Sequence, residues 1–206
     1  MAVSQKRKAT KIEKAESPRD QILSAAAKLF RDRGFAAATL RQIAAAANMQ
    51  AGSIYYHFAS KEEILDAVLD VGLARIFEAV RQAVAECGSK AGAEDRILAA
   101  MSAHLRTLLS RSEFTSVNIR VYGQLPEQIR QRHQPKRRRY GLFWDDLFKQ
   151  AIEAGAFRSD IKVRPLRQFV LGALNWTVEW FDPERHSVNE LVERCTQLIL
   201  SGVRRQ

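Results

Sequence analysis

Between Thr39 and Lys61 the chain sets out side chains that hydrogen-bond rather than react: Thr39, Arg41, Gln50, Ser53, Tyr55, Tyr56, His57 and Lys61. Hydroxyls, an imidazole and an ammonium group donate readily to phosphate oxygens. Arg41 and Gln50 are long enough to reach base edges, where guanidinium suits guanine and carboxamide suits adenine. Gly52 lets a backbone approach closely. These residue types at this density point to a polyanion that carries a sequence, which is duplex DNA. Three residues admit another reading: Tyr56 and Phe58 could be core aromatics, with Phe58 expected to be one, and His57 could be a satisfied surface histidine.

Bond-making chemistry finds little support. There is no GxGxxG or GxxxxGK[ST] phosphate loop and no GxSxG elbow. His57, His104, His133 and His186 stand at no metal-binding spacing from Cys or carboxylates. Adjacent carboxylates, Asp145-Asp146 and Glu62-Glu63, point in different directions from a helix. No catalytic residue, metal site or cofactor is expected. A helical adaptor without a DNA role would leave the 39–61 segment unexplained.

A second group of side chains lies further on. Arg130, Arg132, Lys136, Arg137, Arg138 and Arg139 crowd beside Tyr140, and aromatic residues follow from Phe143 and Trp144 to Phe157. Arginine binds phosphate through its planar fork, so a cavity with such a rim would suit an acyl chain carrying phosphates. The cluster also reads as a solvated helix face or a helix-start charge patch, and that reading is preferred. The candidate ligand residues are Tyr122, Arg137, Arg138, Tyr140, Trp144 and Asn175. Asn175 interrupts an apolar run and needs a partner if buried.

Positioning these groups requires helices. Five prolines and ten glycines punctuate 206 residues, and no alternating strand pattern of useful length occurs. A first helix starts at Ser17-Pro18 and ends at Gly34. Thr39 with Gln42 forms a capping box for a second, stopped by Asn48. A very short third runs from Ser53 to Phe58, its free N–H groups favourable near phosphate. Ile43, Ala44 and Ile54 would pack on the first helix and fix the angle. Ser60 with Glu63 opens a long helix to Cys87. Another ends near Ser110, and helix resumes past Glu113. Pro126 and Pro135 mark two further starts. Pro165 opens a helix that ends at Asp182-Pro183, and Ser187 with Glu190 caps the last one. Residues 166–181 are apolar around most of the circumference, so this helix is either central or covered by a second subunit.

Charge is uneven. Residues 1–61 hold 11 Lys and Arg against 4 Asp and Glu; the other 145 residues hold 22 against 19. A basic N-terminal third suits a polyanion at one end. Cys87 and Cys195 cannot build a disulfide framework, so a reducing cytoplasm fits. No apolar run is long enough to span a membrane. The expected organisation is a disordered basic arm at 1–16, a three-helix DNA-binding domain at 17–60, and a ligand-binding and dimerisation domain at 61–206.

The stretch from Ile22 to Leu69 resembles the TetR family of transcriptional regulators. The resemblance rests on Ala25-Ala26-Ala27-Lys28-Leu29-Phe30, Arg33-Gly34-Phe35, Thr39 to Ala44, and above all Gly52-Ser53-Ile54-Tyr55-Tyr56-His57-Phe58 followed by Ser60 to Glu63. It implies an all-α homodimer on a double-stranded DNA operator. Three helices would bind DNA and a fourth would link them to the body. The last two would form the dimer interface. A small hydrophobic ligand would move the linking helix and release the operator. On this resemblance Thr39, Arg41, Gln50, Ala51, Ser53, Tyr55, Tyr56, His57 and Lys61 stand where family members touch DNA. The long basic arm departs from the pattern and could add DNA contacts. Residues Gly172 to Trp180 resemble a subgroup regulating lipid, steroid and acyl-thioester catabolism, which implies an acyl-coenzyme A effector.

Overall fold

A computed structural model of the chain describes residues 17–110 and 113–205; the basic arm at 1–16 lies outside them. Among the described residues the fold is all-α: eight α-helices, two short 3-10 turns and one isolated antiparallel bridge between Phe157 and Arg204.

Helix α1 spans Pro18–Ala37, with the Ser17 side chain accepting from the Asp20 N–H. Gly34 was expected to end it. The backbone does leave helical geometry there (φ +76°), but one further turn follows and buries Phe35 against Phe30. The positive φ needs glycine. Helix α2 is Leu40–Ala46, and its capping box forms in full: Thr39 Oγ1 accepts from Gln42 N–H, while Gln42 Oε1 accepts from Thr39 N–H at 3.0 Å. Asn48 takes a positive φ of 55° and turns the chain. The third element is a 3-10 helix, Ala51–Tyr56, starting two residues before the expected α-helix and ending two residues short of it. With so few residues, the tighter i→i+3 bonding suffices. Helix α3 then runs Lys61–Glu86 from its Ser60 cap.

Helices α4 (Ala93–Leu109) and α5 (Glu113–Arg120) follow. Helix α6 is a single element, Glu127–Glu153, that continues through Pro135. A separate start at Pro135 was expected, because proline removes one helical hydrogen bond and crowds the preceding turn. Burial on both sides outweighs that: Ile129 and His133 before the proline, Tyr140 and Trp144 after it. Helix α7 spans Val163–Trp180, so Pro165 falls in its first turn, where its missing N–H costs nothing. Helix α8 is Val188–Val203.

Two apolar clusters form the core. One gathers α1, α2, the 3-10 turn and the first half of α3 with Phe114, Val117, Val121, Leu125 and Ile129. The other joins the rest of α3 to α4, α6, α7 and α8. They adjoin along α3 between Leu69 and Leu73. There α3 and α5 nearly touch: a Cβ on Gly72 would lie 2.1 Å from the Phe114 carbonyl oxygen. Asn118 of α5 donates from Nδ2 to the Leu69 carbonyl at 2.9 Å.

Helix α7 has three faces. Leu166, Val170, Leu174 and Thr177 are buried. Gln168, Leu171, Gly172 and Asn175 line a cavity. Phe169, Trp176 and Trp180 are 69%, 65% and 53% exposed, and Leu198 of α8 is 77% exposed.

Candidate nucleic-acid interface and effector cavity

Ile43, Ile54 and Phe58 are buried with Ile22, Ala26 and Phe30 of α1, which fixes α2 and the 3-10 turn on the same core. Phe58 is therefore core, as expected, with the Arg19 guanidinium over its ring at 4.9 Å. Tyr56 is not core: it is 89% exposed, and Tyr55 is 63% exposed. Arg41, Gln50, Ala51 and His57 are exposed as well, and Ser53 is half-buried. A Cβ on Gly52 would meet open space, so packing within the chain does not demand glycine there. Thr39 is exposed, but its hydroxyl is engaged with Gln42, accepting from the backbone and lying 3.1 Å from Oε1.

Lys61 differs from the simple phosphate anchor expected. Its Nζ donates to the carbonyls of Phe35 and Ala38, each at 2.9 Å, and lies 4.3 Å from the centre of the Phe35 ring. Two of its three donors thus hold the end of α1 to the start of α3. The carbonyls after the Gly34 break have lost helical partners, and a cation near them satisfies both.

The basic cluster on α6 divides. Lys136 pairs with Asp70 at 2.6 Å, Arg132 with Asp66 at 3.4 Å, and the Arg139 guanidinium lies over the Phe77 ring. His133, buried, meets Asp66 through Nε2 at 2.6 Å. This side of α6 is an ion-paired seam against α3. Arg137 and Arg138 instead join Tyr122, Arg164 and Arg167 around a cleft of about 820 Å³. Arg137 stacks over the Tyr122 ring at 4.1 Å. Burial pushes its guanidinium pKa down, with Tyr122 opposing. Among the described residues no carboxylate pairs with it. Arg167 faces Asp145 at 3.2 Å. Gly141 makes room for it, since a Cβ there would lie 2.0 Å from Arg167 Nη1.

Behind this cleft lies a cavity of about 290 Å³, bounded by α3, α4, α5, α6 and α7, with Arg137, Arg167 and Gln168 common to both spaces. His104, Tyr140 and Asn175 are in its wall. The Tyr140 O–H donates to His104 Nδ1 at 2.7 Å, and His104 Nε2–H donates to Asn175 Oδ1 at 3.0 Å. Burial pushes the His104 pKa down to about 4, opposed by the Asn175 hydrogen bond. Burial also pushes the Tyr140 hydroxyl well up.

Of the expected ligand residues, Arg137, Tyr140 and Asn175 line this cavity, while Tyr122 and Arg138 line only the cleft. Trp144 lines neither. It is fully buried in the second cluster, edge-on to Tyr140 and His104 and tilted against Phe148, because its large apolar ring is worth most inside the core. His104 was missed as a site residue. The sequence signal was present: it shares a helical face with Ile97, Ala100, Met101, Leu105 and Leu108, so it had to be buried and partnered. Arg164, Arg167 and Gln168 carry no comparable mark.

A short helix set against a recognition turn, on a three-helix core with exposed tyrosines, is a helix-turn-helix DNA-reading head joined to a helical body. A family model for bacterial regulatory proteins of the tetR family matches residues 22–68, and one for the tetracyclin repressor-like C-terminal domain matches residues 90–203. The chain belongs to the TetR family of DNA-binding transcriptional regulators. The HTH-type transcriptional repressor KstR2 of Mycobacterium tuberculosis is 26% identical over 196 residues, spanning 92% of this chain and 94% of the relative. The solved structure of ketosteroid transcriptional regulator KstR2 from the same organism gives a TM-score of 0.77 at 27% identity, covering 94% of this chain and 98% of that one. The fatty acid metabolism regulator protein of Bacillus subtilis is 24% identical over 185 residues, covering 89% and 94%. AibR, solved with isovaleryl coenzyme A and operator DNA, shares the fold with a TM-score of 0.81 at 24% identity, covering 88% and 97%. Among the described residues no helix is long and apolar enough to cross a membrane.

Proposed function

We propose that the chain is a dimeric, cytoplasmic repressor of a lipid-related operon that leaves a near-palindromic operator when an acyl-coenzyme A ester binds its body. The observation that carries this reading is an arginine-rimmed cleft that shares Arg137, Arg167 and Gln168 with a smaller adjoining cavity. Such a pair of spaces suits a ligand with an anionic head and a compact tail. Arginine forks bind phosphate, and an unpaired, half-buried Arg137 gains most from an anion. AibR, solved with isovaleryl coenzyme A, supports this effector class, and the names of the ketosteroid regulator KstR2 and the B. subtilis fatty acid metabolism regulator support a lipid-related operon.

Leu73 and Ile76 of α3 line the cavity. A ligand there bears directly on the helix that carries the head. It releases DNA only if it prefers the DNA-free conformation, since equal affinity for both shifts nothing. The exposed Phe169, Trp176, Trp180 and Leu198 form the face a second copy covers, which favours the subunit-covered reading of α7. On the DNA side, Arg41 and Gln50 read bases, while Thr39, Ala51, Ser53, Tyr55, Tyr56 and His57 contact the backbone. Lys61 has one donor left for phosphate.

The test is a melting-temperature panel of acyl-coenzyme A esters and matching free acids, with operator release measured in parallel. A ligand specific for the folded state stabilises it by about 2.7 kcal/mol at one hundred times Kd. Esters raise the melting temperature and release DNA; acids do far less. Arg137→Ala with Arg138→Ala removes the difference and spares dimerisation. Equal shifts from ester and acid, or an unchanged double variant, refute the reading.

A further inference from the structure

The cavity holds one feature that a plain hydrocarbon tail would not use. His104, Tyr140 and Asn175 form a polar row within the apolar second cluster, among Met101, Leu105, Trp144, Val170 and Leu174. Buried polar groups cost stability unless hydrogen-bonded, and this row is bonded with a definite direction. Asn175 Oδ1 can only accept, so His104 Nε2 carries the proton it gives to that oxygen. The neutral ring then leaves Nδ1 to accept from the Tyr140 hydroxyl. The carboxamide oxygen is thereby occupied and the nitrogen is left over. Among the described residues, Asn175 Nδ2 has no protein partner. It belongs to the same stripe of α7 as Gln168, Leu171 and Gly172, all of which face the cavity. A Cβ on Gly172 would meet open space, so there is room beside it.

We infer that Asn175 reads a hydrogen-bond-accepting oxygen on the effector, its carboxamide held in that orientation by His104 and Tyr140, so that this regulator answers to oxygenated ligands and discriminates against equally long ligands lacking the oxygen. The inference rests on the proposed effector class and refines it. Asn175 is seven residues from Gln168, about 10 Å along the helix axis. An effector whose anionic part sits at the arginines therefore meets Asn175 well inside the molecule. For an acyl thioester the oxygen comes either from the thioester carbonyl or from an oxo or hydroxyl group further along the chain. Sites built to pair a ligand oxygen reject the analogue without it strongly, because the protein donor is left unsatisfied. His104 and Tyr140 are positioning residues here; Asn175 makes the contact.

Titration calorimetry on the full-length dimer tests this with matched ligands at four, six and eight carbons: the acyl-coenzyme A thioester, its β-oxo and β-hydroxy derivatives, and the S-alkyl-coenzyme A thioether that lacks the carbonyl. In the wild-type protein, one of these oxygens improves affinity by about 10-fold or more. Weakening only in the thioether identifies the thioester carbonyl; strengthening only in the β-oxo or β-hydroxy ester identifies the chain oxygen. Asn175→Leu shrinks the preference to within about 2-fold, and Tyr140→Phe reduces it. Because the wild-type comparison needs no variant, misfolding of either mutant leaves the test intact. Equal affinities across the matched set, or a preference that survives Asn175→Leu, overturn the inference while the acyl-coenzyme A reading stands. Absence of binding by every coenzyme A compound overturns both.

Discussion

Replacing His104 by Gln should flatten part of the acid side of this protein's stability curve. In the folded chain the buried imidazole has its pKa pushed down to about 4, from an ordinary 6.5. The unfolded chain binds the proton more readily, so stability rises with pH across that interval. The contribution is fully present above pH ~6.5 and is lost as pH falls towards ~4, below which no more is lost. A difference of two and a half units corresponds to about 3 kcal/mol in total, of which about 2 kcal/mol disappears between pH 7 and pH 5. Urea unfolding at fixed protein concentration, from pH 7.5 to pH 4, measures it as the wild-type curve minus the His104→Gln curve. Fixed concentration matters because any self-association feeds into the apparent stability. The subtraction removes the contributions of all other titrating groups, which both proteins share. A difference curve that is flat to within about 0.5 kcal/mol from pH 7 to pH 5 would show that His104 is not held neutral by burial. The Tyr140–His104–Asn175 row would then have a different proton order.

Gly72→Ala forces a methyl group against the Phe114 carbonyl and Asn118, so the α3–α5 crossing must open. The expected loss is about 1–3 kcal/mol in urea unfolding, and a change below about 0.5 kcal/mol would show that the two helices separate easily. Arg41→Ala leaves stability unchanged and relaxes preference at one operator position, costing about 1–3 kcal/mol on the specific site alone. Equal loss on specific and random DNA would place Arg41 on the phosphates. Lys61→Ala lowers head stability by about 2 kcal/mol through its lost charge-assisted bonds to Phe35 and Ala38. A fully stable variant that loses only salt-dependent DNA affinity would make it a pure phosphate anchor.

Local chemistry was the legible part of this chain. The Thr39–Gln42 box forms as its spacing dictates, since both partners are within one turn. Helix caps at Ser17 and Ser60 are local in the same sense. Departures occur where distant residues decide. Pro135 is a breaker by its own chemistry, yet α6 continues because side chains on either side of it pack into the two core clusters. Lys61 reads as an exposed cation, but carbonyls more than twenty residues earlier claim it. The α6 arginines are indistinguishable in sequence. Only the placement of Asp66 and Asp70 on α3 and of Tyr122 beside α6 sorts them into ion-paired and cleft-facing members. His104 shows the converse: its buried helical stripe was visible, while its partners, 36 and 71 residues away, were not.

The sharing of the first apolar cluster bears on modularity. Phe114, Val117, Val121, Leu125 and Ile129 fill the same interior as Phe30, Ile54 and Leu65, although they are encoded far downstream. A reading head cut from this chain at the end of α3 would expose that interior, and one grafted onto a foreign body would inherit mismatched side chains. Exchange of operator specificity between relatives therefore has two workable routes. One is surface substitution within residues 39–57, which leaves the cluster alone. The other is co-transfer of the 113–130 segment with the head, two pieces of chain that behave as one inheritable unit.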